Sequence, residues 1–84
     1  MDISDISRLN KVVGIRQVTK FVNLDQINLI ILATDADPDF EKQVLELASA
    51  KGVSIVRKGT KTQIAQLCGI DKIATVVGVL KQKE

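Results

Sequence analysis

The sequence predicts an α/β protein, a three-layer α/β/α sandwich around a small mixed β-sheet. Short apolar, β-branched runs alternate along the chain with segments whose apolar residues recur at helical spacing. The run Leu29-Ile30-Ile31-Leu32-Ala33 is apolar without interruption, as expected of a strand covered on both faces. Connections between the segments are short, and helices alternating with buried strands place helices on both faces of a sheet.

The elements follow in order. Ile3, Ile6 and Leu9 recur at helical spacing and predict a first short helix. Val12-Val13 predicts a brief strand, which Gly14 ends. From Ile15 onward, Ile15, Val18 and Val22 have a helical period. After the Leu29–Ala33 strand, Asp37-Pro38 opens a helix. Asp37 suits the N-cap, Pro38 suits the first helical position, and Asp39 and Glu41 favour the positive helix end. Phe40, Val44, Leu47 and Ala48 make its buried stripe, and Lys51-Gly52 stops it. Val53-Ser54-Ile55-Val56 predicts the next strand. Thr60 and Gln63 have the spacing of a capping box. The helix they open turns Ile64, Leu67 and Cys68 inward and stops at Gly69. Ala74 to Leu80 predicts a last, mostly buried strand, and residues 81–84 are expected to form a frayed tail.

A length of 84 residues predicts one domain over residues 1–84. Lys plus Arg number 12 against 10 Asp plus Glu, a net +2. That balance alone does not argue for nucleic acid, so the placement of charge must decide. The absence of His excludes His-based triads and His metal ligands. The single cysteine, Cys68, excludes an internal disulfide framework and a Cys-ligated zinc site, and suits a reducing cytosol. A cytoplasmic location is therefore expected. No apolar run approaches the roughly 20 residues that span a bilayer, and the first residues lack the apolar region of a signal peptide. Phe21 and Phe40, the only aromatics, argue against base stacking on an aromatic platform.

Three constellations carry candidate chemistry. In Gly14-Ile15-Arg16-Gln17-Val18-Thr19-Lys20, a glycine start leaves the first-turn amides without a side-chain cap and open to an anion. Arg16, Gln17 and Lys20 form one polar patch opposite Ile15, Val18 and Val22. Arg and Gln have the donor and acceptor geometry of base edges, and Lys suits phosphate or guanine. The same spacing also describes an ordinary solvated helix face. In Thr34-Asp35-Ala36-Asp37-Pro38, two carboxylates at a strand exit could hold Mg²⁺ for phosphoryl transfer. The plainer alternative makes Asp37 a helix cap and Asp35 a turn residue. In Cys68-Gly69-Ile70-Asp71-Lys72-Ile73, Ile70 is either the apolar partner of a helix C-cap or a loop tip that covers an unstacked base. Cys68 reads as a small buried hydrophobe. Arg57, Lys58 and Lys61 form a further basic stretch, which either reaches a phosphate or is a solvated loop.

Taken in register, Gly14-x-Arg16-Gln17-x-x-Lys20, Ala33-x-Asp35-Ala36-Asp37-Pro38 and Leu67-Cys68-Gly69-Ile70 resemble a known family. The chain is similar to the kink-turn RNA-binding ribosomal proteins of the L-seven-Ae and L-thirty-e type, above all their short bacterial members. The resemblance extends from about Leu9 to Leu80. It implies a non-enzymatic, cofactor-free protein that recognises kink-turn RNA, a duplex bent at a short bulge beside tandem sheared G·A pairs. Gly14 would allow close backbone approach, while Arg16, Gln17 and Lys20 read base edges and nearby phosphates. Asp37 and Ile70 would meet an extruded nucleotide, and Lys72 holds a position that is basic in some members. The implied partner is ribosomal RNA or a structured messenger RNA, bound by a monomer away from any membrane. Arg16 stands where many members have Asn, Ala65 where many have Gly, and Asp71 adds a negative charge to the loop. Two rival readings remain at this point. One is a protein-interaction module of the same fold; the other is a Mg²⁺-dependent phosphoryl-transfer enzyme using Asp35 and Asp37.

Overall fold

In a computed structural model describing residues 3–81, the apolar run around Ile30 becomes an inner strand of the sheet. A 3-10 helix, Ile3–Arg8, comes first. It is followed by β1 (Lys11–Val13), α1 (Ile15–Asn23), β2 (Ile27–Leu32), α2 (Pro38–Lys51), β3 (Ser54–Arg57), α3 (Lys61–Leu67) and β4 (Val76–Leu80). The strand order is β1-β4-β2-β3. β4 runs antiparallel to β1 and β2, whereas β3 lies parallel to β2. The sheet is therefore mixed, and α2 is the crossover that a parallel pair requires.

The two faces of β2 fill two cores. Leu29, Ile31 and Ala33 face a layer containing Ile6 of the 3-10 helix and Ile64 and Ala65 of α3. Ile30 and Leu32 face Val18 and Val22 of α1 and Val44 and Ala48 of α2. Ile30, Ile31 and Leu32 are each 0% exposed. Burial at this level contributes about 1.5–3 kcal/mol per side chain. The predicted three layers are present.

Several boundaries differ from the sequence expectation. β2 starts at Ile27, two positions before the apolar run, because Asn28 is a bulge. Ile27 pairs with Leu80 and Leu29 with Val79, so two β2 residues advance against one on β4. The extra residue lets Ile27 and Ile30 share one core although they are three apart. β4 starts at Val76, while Ala74 and Thr75 belong to the preceding loop. Lys81, expected to fray, donates its backbone N–H to the Gln26 carbonyl at 2.8 Å. The remainder of the predicted tail, residues 82–84, lies outside the described residues, as do residues 1–2 at the start.

Gly78 lets α1 approach the sheet. A Cβ there would stand 2.7 Å from Ile27 Cδ1 and 3.3 Å from Val18 Cγ2. α1 thus lies close over β4, with its inner residue Val18 0% exposed. Among the described residues, no helix is long and apolar enough to cross a membrane.

Candidate functional site

β1, β2 and β3 point the same way, and each is followed by a helix. The positive ends of α1, α2 and α3 therefore gather at one end of the sheet. Backbone bonds tie the connections there together. The Gly14 N–H donates to the Val76 carbonyl at 3.0 Å, and the Ala33 N–H to the Thr75 carbonyl at 2.8 Å. Both the backbone N–H of Thr34 (2.8 Å) and its hydroxyl (3.1 Å) donate to the Gly59 carbonyl. The Ala74 N–H donates to the Lys61 carbonyl at 3.2 Å. Segments distant in sequence thus become one ordered platform.

The three helix starts on this platform differ. At α1, Gly14 has φ 93° and ψ 155°, a region essentially restricted to glycine. No side chain caps the helix, and its first turn carries no acidic residue. Arg16, Gln17 and Lys20 are all exposed, while Val18 and Val22 are buried beneath them. The Lys20 ammonium lies 5.7 Å from the Phe21 ring centroid, within cation–π range. The predicted patch therefore exists on the outer face of α1.

At α2, Asp37 occupies the N-cap position with Pro38 behind it, but its side chain makes no capping hydrogen bond. The capping bond anticipated for Asp37 is not made, and its exposed carboxylate remains free of that role. Asp39 and Glu41 supply negative charge in the first turn, and Glu41 pairs with Arg57. Arg57 of the basic stretch is thus engaged within the fold.

At α3, the capping box forms as the spacing predicts. The Thr60 N–H donates to Gln63 Oε1 at 2.9 Å, and the Gln63 N–H to Thr60 Oγ1 at 3.2 Å. Asp35 adds a third tie, because its Oδ1 accepts the Lys61 N–H at 2.8 Å. Asp35 and Asp37, adjacent on paper, therefore do different things: Asp35 holds the start of α3 and Asp37 faces outward. Among the described residues, no group of three His, Cys, Asp or Glu side chains could hold a metal ion.

The loop between α3 and β4 completes the platform. Gly69 donates to the Gln66 carbonyl and Ile70 to the Ala65 carbonyl, each at 3.1 Å, the paired bonds of a Schellman C-cap. Ile70 nonetheless remains 38% exposed, and Lys72 is exposed beside it. Ile73 is 62% exposed and forms a second apolar tip. The sequence placed Ile73 in this loop but singled out only Ile70 as the apolar tip, since nothing local tells which of the two is exposed. Cys68 is half-buried, and burial raises its thiol pKa against the opposing pull of Lys11. That agrees with its reading as a small hydrophobe.

Of the residues singled out in the sequence, Gly14 and Asp37 stand at helix starts at this end of the sheet, while Ile70 and Lys72 lie on the α3–β4 loop, which is tied to it at Ala74 and Thr75. Arg16 and Gln17 stand in the first turn of α1, and Lys20 one turn further along. No described hydrogen bond or ion pair joins these side chains to one another.

The sequence profile of the "Ribosomal protein L7Ae/L30e/S12e/Gadd45 family" matches residues 7–84. The chain belongs to this family. All three constellations of the L7Ae-type chain fall inside the matched residues. It is 32% identical over 69 residues to an RNA-binding protein of Bacillus pumilus, covering 82% of this chain and 84% of that one. It is 31% identical over 74 residues to an RNA-binding protein of Caldanaerobacter subterraneus subsp. tengcongensis, covering 87% and 90%. Among solved structures, a Bacillus halodurans C protein of unknown function superposes with a TM-score of 0.81 at 24% identity, covering 94% of this chain and 80% of that one. The Giardia lamblia 15.5kD RNA binding protein superposes with a TM-score of 0.79 at 24% identity, covering 96% and 69%. These two likenesses bear on the fold, which they share with the L7Ae-type chain.

Proposed function

We propose that this L7Ae-type protein binds RNA and recognises the kink-turn, acting as a monomeric, non-catalytic cytoplasmic protein on ribosomal or structured messenger RNA. The observation that carries the reading is the start of α1. It is the one helix start on the platform with a glycine N-cap, no acidic residue in its first turn and exposed base-reading side chains just inside it. A-form RNA hides its major groove from side chains, but a kink opens it locally. A bare helix start with short-range donors suits that opening.

In this reading Gly14 lets the backbone approach the G·A pairs. Arg16 offers a planar fork to guanine O6 and N7, Gln17 offers a donor and an acceptor to adenine, and Lys20 meets phosphate or guanine. The uncommitted Asp37 carboxylate accepts from an extruded nucleotide, whose base rests on Ile70, with Lys72 near the backbone. Ile73 extends that apolar surface. Moving an RNA from about 1:99 to 99:1 in favour of the bent form needs about 5.5 kcal/mol of differential binding. At about 1–3 kcal/mol per base-edge contact, about two to six such contacts supply that difference.

The test is a duplex carrying a kink-turn with a fluorophore on each arm, kept extended by omitting divalent cations. Adding the protein should bring the arms together and raise energy transfer. Energy transfer that stays at its starting value at saturating protein contradicts the kink-turn reading.

A further inference from the structure

The opposite end of the sheet holds a cavity of about 470 Å³ that the proposed RNA face does not use. It opens where the 3-10 helix runs into β1 and where β2 bulges. Its apolar lining is Leu9, Val79 and Leu80, of which Val79 is only 7% exposed. Arg8, Asn10, Asn28 and Lys81 complete the lining, and all four are exposed.

The polar groups stand on fixed backbone. The Leu80 N–H donates to the Asn10 carbonyl at 2.9 Å, and the Lys81 N–H to the Gln26 carbonyl at 2.8 Å. Asn28 is the bulge residue of β2, set between the Ile27–Leu80 and Leu29–Val79 pairs. Asn is depleted in strands, and bulges re-aim side chains beside functional sites. Two carboxamides therefore flank the end of β4, one before β1 and one on β2.

We propose that this cavity is a second ligand site, for a purine nucleoside monophosphate taken either free or as one nucleotide of a single-stranded RNA. Its volume lies in the usual range of about 300–1,000 Å³ for small-molecule sites. The apolar floor takes the face of a base. A carboxamide matches the paired donor and acceptor of an adenine edge. Arg8 and Lys81 supply the cations for phosphate, Arg8 through its planar fork. The one carboxylate paired with either of them among the described residues is Asp25, whose Oδ1 lies 3.4 Å from Lys81 Nζ. Asp25 is 93% exposed, and such a surface pair yields readily to a phosphate.

The test is an amide chemical-shift titration of the full chain with AMP, adenosine and inorganic phosphate in parallel. AMP should shift the amides of Asn10, Asn28 and Lys81 saturably, with a dissociation constant of about 0.1–1 mM, as few contacts on an open site allow. Adenosine and phosphate alone should each bind at least about tenfold more weakly. Arg8→Glu and Asn28→Ala should each weaken AMP by about tenfold or more, with the remaining spectrum confirming an intact fold. A short oligoadenylate that shifts the same amides at lower concentration than AMP marks RNA as the source. Equal affinity marks the free nucleotide. AMP and oligoadenylate both leaving these amides unmoved at millimolar concentration would overturn the proposal, as would variants that bind AMP like the parent. The site is at the far end from Gly14, so its failure and that of the kink-turn reading are separately visible.

Discussion

α1 and α3 start at the same end of one sheet, yet they treat their first-turn amides in opposite ways. α3 spends three side chains on them: Thr60, Gln63 and, from another loop, Asp35. α1 begins at Gly14 and has no side-chain cap. A side-chain N-cap is typically worth about 0.5–2 kcal/mol, so the open start forgoes stability that α3 secures. On the proposed reading, stability and recognition fall to different helices on the same platform. A substitution at one start should be felt mainly in unfolding, and at the other mainly in RNA affinity.

Gly14→Ala should break that division most severely. The backbone at φ 93° and ψ 155° strains any other residue by about 1–3 kcal/mol, measurable by denaturant unfolding. A Cβ there meets nothing within 4 Å in the protein, so it projects into the space assigned to RNA. Kink-turn affinity should therefore fall further than for any other single substitution considered. Gln17→Ala sharpens the contrast. Its side chain is exposed, so stability should stay within about 0.5 kcal/mol of the parent while affinity drops by about 1–3 kcal/mol in a gel-shift titration.

Thr60→Ala should do the reverse, costing about 0.5–2 kcal/mol of stability and leaving the affinity of the folded protein intact. Lys20→Ala is gentler. If Lys20 meets a phosphate, the slope of log affinity against log salt should shrink by about one, read from titrations at several salt concentrations. The smallest effect belongs to Cys68, at the far end of α3. Burial raises its thiol pKa in the folded state, so the unfolded state ionises first as pH rises. Its contribution is intact below the unfolded thiol's pKa, near 8.5, and is lost as pH rises through the folded value. Cys68→Ala should remove that part of the alkaline decline in chemical denaturation, while the contribution of other groups remains.

The sequence disclosed what local chemistry determines. The capping box at Thr60 and Gln63, the Pro38 start, the Gly52 and Gly69 stops and the two-faced strand at Ile30 all depend on neighbours within a turn or a pleat. The patch of Arg16, Gln17 and Lys20 was equally legible, because helical spacing alone places it opposite Val18 and Val22. What escaped depends on distant partners. Asp35 meets Lys61 across 26 positions, so the sequence left it as a turn residue or a metal ligand. The bulge at Asn28 exists only in pairing with β4, and Lys81 is held by Gln26 from another connection. Ile73 was placed in the loop but given no role, because its exposure is decided by where Ala74 and Thr75 are anchored. The helix cap expected of Asp37 shows the converse: the position was right, but its side chain makes no capping bond.

The most direct measurement is a binding titration against a kink-turn RNA and against the same RNA with its G·A pairs replaced by Watson–Crick pairs, at one fixed salt concentration. Tight binding to the first and weak binding to the second are expected, with the difference largely lost in Gln17→Ala. Equal, salt-sensitive binding to both RNAs would reduce the α1 patch to nonspecific charge attraction and contradict the account. Binding to neither would contradict it as well and favour a protein partner for the same fold.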